Sequence, residues 1–238
     1  CTVVTIKQEP EAEAAIRKQA SVCGCPVVTA DGGLAVNRKR GLFSQTFDYQ
    51  EWKEVKIPLS GEYQFTNGVL ALKVLEVLKN KGYRLSEETV RKGFQKTVWT
   101  GRFTVIAKDP CVIVDGAHNR DAAQKLAETL DQYLKGRRLI YIMGVLADKE
   151  YDKVIEKTAS YASEVITVMT PDNVRALPAK DLAEAVKKYN PHVQAAQSIE
   201  DAVERAYELA GKEDVILAFG SLSYLGELIR VLQERTAK

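Results

Sequence analysis

The sequence predicts an α/β protein whose second half forms a mostly parallel sheet with helices on both faces. Three observations carry that expectation. From Phe103 onward, short apolar runs of strand length alternate with amphipathic helical stretches. The runs are apolar without interruption, as in Val112-Ile113-Val114, which suits strands buried on both sides. The helical stretches carry clean stripes, the clearest being Ile199, Ala202, Val203, Ala206 and Leu209. The pattern changes around Thr97 to Arg102, so two domains are expected, residues 1–98 and 99–238.

In the first part, Thr2 to Ile6 reads as a strand, Glu11 to Ala20 as a helix and Pro26 to Thr29 as a second strand. Asp31 to Gly41 is polar and glycine-bearing, and its Arg38-Lys39-Arg40 run reads as a solvated loop. Phe47 to Leu59 alternates loosely, as strands near a sheet edge do, and Pro58 closes it. Gly61 to Lys81 is the strongest helix here, apolar on more than one side through Val69, Leu70, Leu72, Val74, Leu75, Val77 and Leu78. Asn67 lies near its start, where an asparagine caps the helix or offers its amide to a ligand; residue type favours the cap. Ser86-Glu87-Glu88 opens a further helix through Gln95, acidic in its first turn as the helix dipole prefers. Open sheet edges make residues 1–96 the half expected to be less stable.

In the second part, strands are expected at Phe103–Ala107, Cys111–Val114, Arg138–Met143, Glu164–Met169, Val193–Ala196 and Asp214–Ala218. Helices are expected at Arg120–Leu134, Lys149–Ser160, Ala179–Lys188, Ile199–Ala210 and Leu222–Gln233.

Composition excludes several classes. At 45% hydrophobic and 28% charged over 238 residues, the chain is of ordinary globular type. A net charge of +2 calls for neither nucleic acid nor an anionic membrane. No apolar run approaches the roughly 18–20 residues of a membrane span, and no secretory signal is visible, so the expected location is cytoplasmic. Cys23-Gly24-Cys25 has no second pair or nearby histidine, so the four cysteines read as reduced thiols and no metal site is expected. The chain begins at Cys1 with methionine only at Met143 and Met169, which reads as a processed or truncated product.

Chemistry concentrates at Cys111-Val-Ile-Val-Asp115-Gly116-Ala117-His118-Asn119. Here a buried strand ends in polar groups, and Asn119 caps the helix whose face is Ala122, Ala123, Leu126, Ala127, Leu130, Tyr133 and Leu134. Ligands of open α/β sheets bind at such carboxyl ends. One of only two histidines stands there, although an ordinary βα turn with a surface histidine explains the residue types equally well. Gly144 to Asp152, Thr170 to Ala176 and Gly220-Ser221 follow other strands, so topology would gather all four turns along one edge. Arg102 precedes the first strand of this half; an arginine and an aspartate at a cleft suit phosphate and ribose hydroxyls respectively. Missing are a G-x-x-x-x-G-K-[ST] phosphate loop, a G-x-G-x-x-G fingerprint and a G-x-S-x-G elbow. The chain carries no phosphate cradle of its own.

Taken together, Gly101-Arg102-Phe103, Asp115-Gly-Ala-His118-Asn119, Gly144-Val-Leu-Ala-Asp148-Lys149, Arg175-Ala176 and Gly220-Ser221-Leu222 resemble the folylpolyglutamate synthase / dihydrofolate synthase family of the murein-ligase superfamily. Gly61-Glu-Tyr-Gln64 leading to Asn67 resembles the later part of that family's central ATPase domain. The resemblance implies a remnant of that ATPase domain over 1–98 and a Rossmann-like C-terminal glutamate-ligase domain over 99–238. It implies ATP-dependent addition of L-glutamate to dihydropteroate or a reduced folate through an acyl phosphate, with Mg2+ bound by residues upstream of this sequence. It further implies ATP contacts at Asn67, Arg102 and Asp115, a catalytic or glutamate-orienting role for His118, a glutamate contact at Ser221, and a monomer. Arg120 and Thr100 stand where the family often has proline. Without the upstream phosphate loop, the chain alone is expected to be inactive. The competing expectations are a non-catalytic nucleotide- or folate-binding module, and a ligase of the same superfamily with another acceptor.

Overall fold

In the computed structural model, which describes residues 1–236, Val3–Ile6 (β1) and Val27–Ala30 (β2) pair in parallel with Val3 opposite Val27. Parallel neighbours need a crossover, and Pro10–Val22 (α1) supplies it, with Pro10 at the helix start where its missing N–H costs nothing. Val36–Lys39 (β3), Gln45–Tyr49 (β4) and Trp52–Ile57 (β5) form a separate antiparallel sheet in that order. Tyr63–Asn80 (α2) and Glu87–Gln95 (α3) complete this unit, which spans Cys1–Val98. Its core joins Phe47, Val55 and Ile57 of the sheet to Phe65, Val69 and Leu72 of α2 and Val90 and Phe94 of α3.

Two expectations for this unit need correction. The basic run is not a solvated loop. Arg38 and Lys39 lie in β3, and Arg38 and Arg40 both grip Glu62, at 2.7 and 2.8 Å. Burial pushes the Glu62 carboxyl up, but the two guanidiniums outweigh it and hold it below the usual carboxylate range. Nor does Asn67 cap a helix: α2 begins at Tyr63, so Asn67 sits in its second turn, and its amide donates to Gln64 Oε1 at 3.0 Å. At the start of α3 Ser86 is the N-cap, its hydroxyl accepting from the Thr89 N–H at 3.1 Å.

The second unit begins at Trp99. Its strands are Thr104–Lys108 (β6), Cys111–Val114 (β7), Leu139–Met143 (β8), Glu164–Thr167 (β9), Val193–Ala195 (β10) and Val215–Phe219 (β11). They form one sheet in the order β10-β9-β8-β11-β7-β6, parallel throughout except β6, which returns antiparallel to β7. Arg120–Tyr133 (α4), Tyr151–Thr158 (α5) and Ala179–Lys187 (α6) link the strands from β7 outward to β10. Ile199–Leu209 (α7) then carries the chain back so that β11 inserts between β8 and β7, and Leu222–Thr236 (α8) follows it. Right-handed crossovers in opposite directions place these helices on opposite faces. Val112, Ile140, Ile166 and Ile216 accordingly pack on Ala202, Ala206, Leu228 and Leu232 of α7 and α8. The alternate strand residues Ile113, Tyr141 and Leu217, fully buried, point to the other side. This is the expected α/β architecture, a mostly parallel sheet with helices on both faces. Among the described residues, no helix is long and apolar enough to cross a membrane.

Candidate functional site

The topology just described sets β7, β11 and β8 side by side, so the turns after Val114, Phe219 and Met143 emerge together at one edge. Backbone bonds tie them: the Asp115 N–H donates to Ala218 O at 2.9 Å, and the Gly144 N–H to Phe219 O at 3.3 Å. Glycine is required where they meet. Gly220 has φ of 115°, and a Cβ there would lie 2.5 Å from Gly144 O. A Cβ on Gly116 would lie 2.7 Å from the Leu222 side chain.

Asp115 is the centre of this edge, and it is only 6% exposed. One carboxylate oxygen accepts the Ala117 N–H and the other the Phe103 N–H, both at 2.8 Å. The first bond shapes the DGAHN turn. The second clasps that turn to the Gly101-Arg102-Phe103 segment, where Gly101 and Phe103 both have positive φ, 87° and 46°. Burial pushes the Asp115 carboxyl above the usual range, against the two amide hydrogen bonds and the nearby Arg102 and His118, which pull it down. Arg102 is half-exposed, its guanidinium 5.9 Å from the Trp99 ring centroid.

His118 is half-buried, with Nδ1 2.8 Å from Gly116 O. A carbonyl only accepts, so Nδ1 carries the proton, and in the neutral ring Nε2 keeps its lone pair. Asn119 caps α4 as expected, its side-chain oxygen accepting from the Ala122 N–H at 2.9 Å. Ser221 is buried; its hydroxyl accepts from the Ser223 N–H at 3.2 Å and bonds the Ser223 hydroxyl at 3.1 Å, so it also braces the first turn of α8.

The turns after β8 and β9 join the same edge. Leu146 and Ala176 form a bridge, the Ala147 N–H donates to Arg175 O at 2.7 Å, and Arg175 pairs with Asp148 at 3.0 Å. Asn173 links across to Ser223 Oγ at 3.5 Å. Sequence reasoning missed Phe103, whose amide holds Asp115, and Tyr224, whose buried hydroxyl lies 2.9 Å from Ile142 O and 2.7 Å from Phe219 O. The Tyr224 position had a legible signal, a tyrosine inside an otherwise apolar helix stripe. The Phe103 amide had none.

Asn67 belongs to the first unit, where it is exposed. That unit also holds a groove of about 430 Å³ between Trp52, Leu72, Leu75, Leu85 and Val90, which contains none of the candidate site residues Asn67, Arg102, Asp115, His118 and Ser221. Among the described residues, no group of three or more His, Cys, Asp or Glu side chains is placed to hold a metal ion.

Residues 101–222, the stretch that builds this polar edge, match the family model described as Mur ligase, glutamate ligase domain. The chain belongs to the Mur ligase family. Arg102, Asp115, His118 and Ser221 all fall within the matched glutamate ligase domain, and Asn67 precedes it. The chain is similar over 237 residues, at 27% identity, to the dihydrofolate synthase/folylpolyglutamate synthase of Bacillus subtilis, covering 97% of this chain and 54% of that protein. It is 30% identical over 182 residues to the folylpolyglutamate synthase of Lacticaseibacillus casei, covering 74% of this chain and 42% of that protein. It therefore spans about half the length of the curated relatives it matches over nearly its whole extent. Among solved structures, a Mycobacterium tuberculosis folylpolyglutamate synthase complexed with ADP has the same fold, with a TM-score of 0.82 at 24% identity, covering 98% of this chain and 54% of that one. The E. coli FolC complex with DHPP and ADP gives 0.77 at 24% identity, over 98% of this chain and 54% of that one.

Proposed function

We propose that this chain is the glutamate-ligase half of an ATP-dependent enzyme that adds L-glutamate to dihydropteroate, to a reduced folate or to both. The observation that carries the reading is the coincidence of two things: the clasped polar edge around Asp115 and the stretch related to the glutamate ligase domain. ATP would phosphorylate the folate carboxylate to an acyl phosphate, and the glutamate amine would displace the phosphate.

In this reading Arg102 contacts ATP phosphates, where a guanidinium lowers the energy of charge developing on the transferred group. Asp115 positions Arg102 through the Phe103 amide, and a hydroxyl of the nucleotide would meet only the lone pairs its two amide donors leave. Asn67 offers its carboxamide to the nucleotide. His118, with Nδ1 tied to Gly116, presents Nε2 to take the proton of the attacking amine, and Ser221 contacts the glutamate. In this reading, as the resemblance implies, the Mg2+ ligands and the phosphate loop would be supplied by polypeptide outside these 238 residues. The enzyme works in the cytoplasm as a monomer, without nucleic acid or membrane partners.

The test is ADP release by the gene product as purified from its source, with dihydropteroate or tetrahydrofolate as acceptor. Release that requires both acceptor and L-glutamate supports the reading. Absence of release with every pterin acceptor refutes it.

A further inference from the structure

We propose that Cys1 and Cys25 form a reversible dithiol–disulfide site. Their sulfurs lie 3.1 Å apart, both as free thiols. The backbone itself explains the approach. β1 and β2 pair with a constant offset, Val3 opposite Val27 through Ile6 opposite Ala30, and the Val3 N–H extends the ladder to Pro26 O at 2.9 Å. The same register carried back two residues sets Cys1 opposite Cys25. Residues two apart on a strand share a face, so both side chains fall on the side of Val3 and Val27. A disulfide needs S–S of about 2.05 Å, so closure asks for about 1 Å of approach between the two sulfurs.

Cys23 is the neighbouring thiol and is differently engaged. Its sulfur receives the Gln19 amide at 3.4 Å, and its carbonyl accepts the Cys25 thiol at 3.5 Å. Cys111 is buried in the second unit and inaccessible to a small oxidant. Cys1 is exposed and Cys25 partly so, which leaves this pair open to a low-molecular-weight disulfide.

The oxidant is a small disulfide such as oxidised glutathione. The Cys25 thiolate attacks one of its sulfurs, forming a mixed disulfide and releasing one glutathione thiolate. The Cys1 thiolate then attacks Cys25 Sγ, breaking the mixed disulfide and releasing the second glutathione. Two protein thiols are oxidised, one glutathione disulfide is reduced to two thiols, and the two protons lost by the cysteines pass through solvent to the released glutathione thiolates. The product ties Cys1, just before β1, to Cys25, just before β2, and closes the loop that contains α1.

The experiment incubates the folded chain with oxidised glutathione, blocks remaining thiols and maps the peptides by mass spectrometry. The expected result is loss of two hydrogens, a Cys1–Cys25 cross-linked peptide, and full reversal by dithiothreitol. Cys25→Ser should abolish the cross-link, and Cys23→Ser should leave it. A glutathione adduct that persists at either cysteine, a cross-link that maps to Cys23 or to a second molecule, or full alkylation of all thiols would each overturn the proposal.

Discussion

Asp115→Ala removes the acceptor of two buried amides at once, and the structure allows its cost to be worked out. Phe103 and Ala117 are each 1% exposed, so water does not replace the lost carboxylate at either N–H. A buried donor left without an acceptor costs about 1–3 kcal/mol, which gives about 2–6 kcal/mol for the pair. Relief of the carboxylate's own burial offsets part, leaving a loss of about 2–4 kcal/mol. At about 2–8 °C per kcal/mol for domains of this size, the melting transition of the second unit should fall by roughly 10 °C. Asp115→Asn keeps one acceptor and turns an NH2 toward the other amide, so it should fall between alanine and wild type. The pH dependence follows from the same burial. Because the folded carboxyl is held above its ordinary value near 3.8, the folded chain retains a proton that the unfolded chain has released. The residue's proton-linked contribution is therefore full below that value and is lost as pH rises through the folded value, a slope that Asp115→Asn removes. Thermal unfolding followed by circular dichroism across pH 3–7 measures both effects. An Asp115→Ala melting temperature within 1 °C of wild type would refute the reasoning.

Further outcomes are expected. Gly220→Ala should destabilise the second unit by about 1–3 kcal/mol in urea unfolding, since its Cβ meets the Gly144 carbonyl and its φ of 115° disfavours any side chain. Asn119→Ala should cost about 1 kcal/mol by the same measurement, through the lost α4 cap. In the natural gene product, His118→Ala should lower kcat for glutamate addition by about 10²–10⁴-fold while leaving the melting temperature near wild type. An intact mass of that gene product should exceed 26.4 kDa by a domain of roughly 100–200 residues, whereas a mass near 26.4 kDa would contradict the two-part ligase reading.

The second unit was far more legible in the sequence than the first, for physical reasons. Its strands are buried on both faces and its helices carry one apolar stripe, so the Cys111–Val114 strand is found with the bounds expected and α4 within one residue. Caps announce themselves through residue type, as at Ser86 and Asn119. Asn67 misleads for the same reason. Asparagine favours caps, but α2 begins a turn earlier, at Tyr63, with no side-chain cap at all. The Arg38–Arg40 run misleads because charge density reads as solvation, while its partner Glu62 lies more than twenty residues away. At the polar edge, the DGAHN turn and the Gly-Ser pair stood out in the sequence. The insertion of β11 between β8 and β7, which brings them together, is a pairing choice that local pattern does not encode. The Asp115 clasp is equally invisible there, since a sequence read it as a ligand for ribose and the fold also gives it two backbone amides.

The account's central claim is that the polar edge serves glutamate ligation, and the mass of the folate product tests it most directly. The gene product from its source, given a folate acceptor, ATP and a mixture of amino acids, should yield a product heavier by one glutamyl residue for each ADP released. ADP release without a glutamyl gain, or transfer of a different amino acid, would contradict the account.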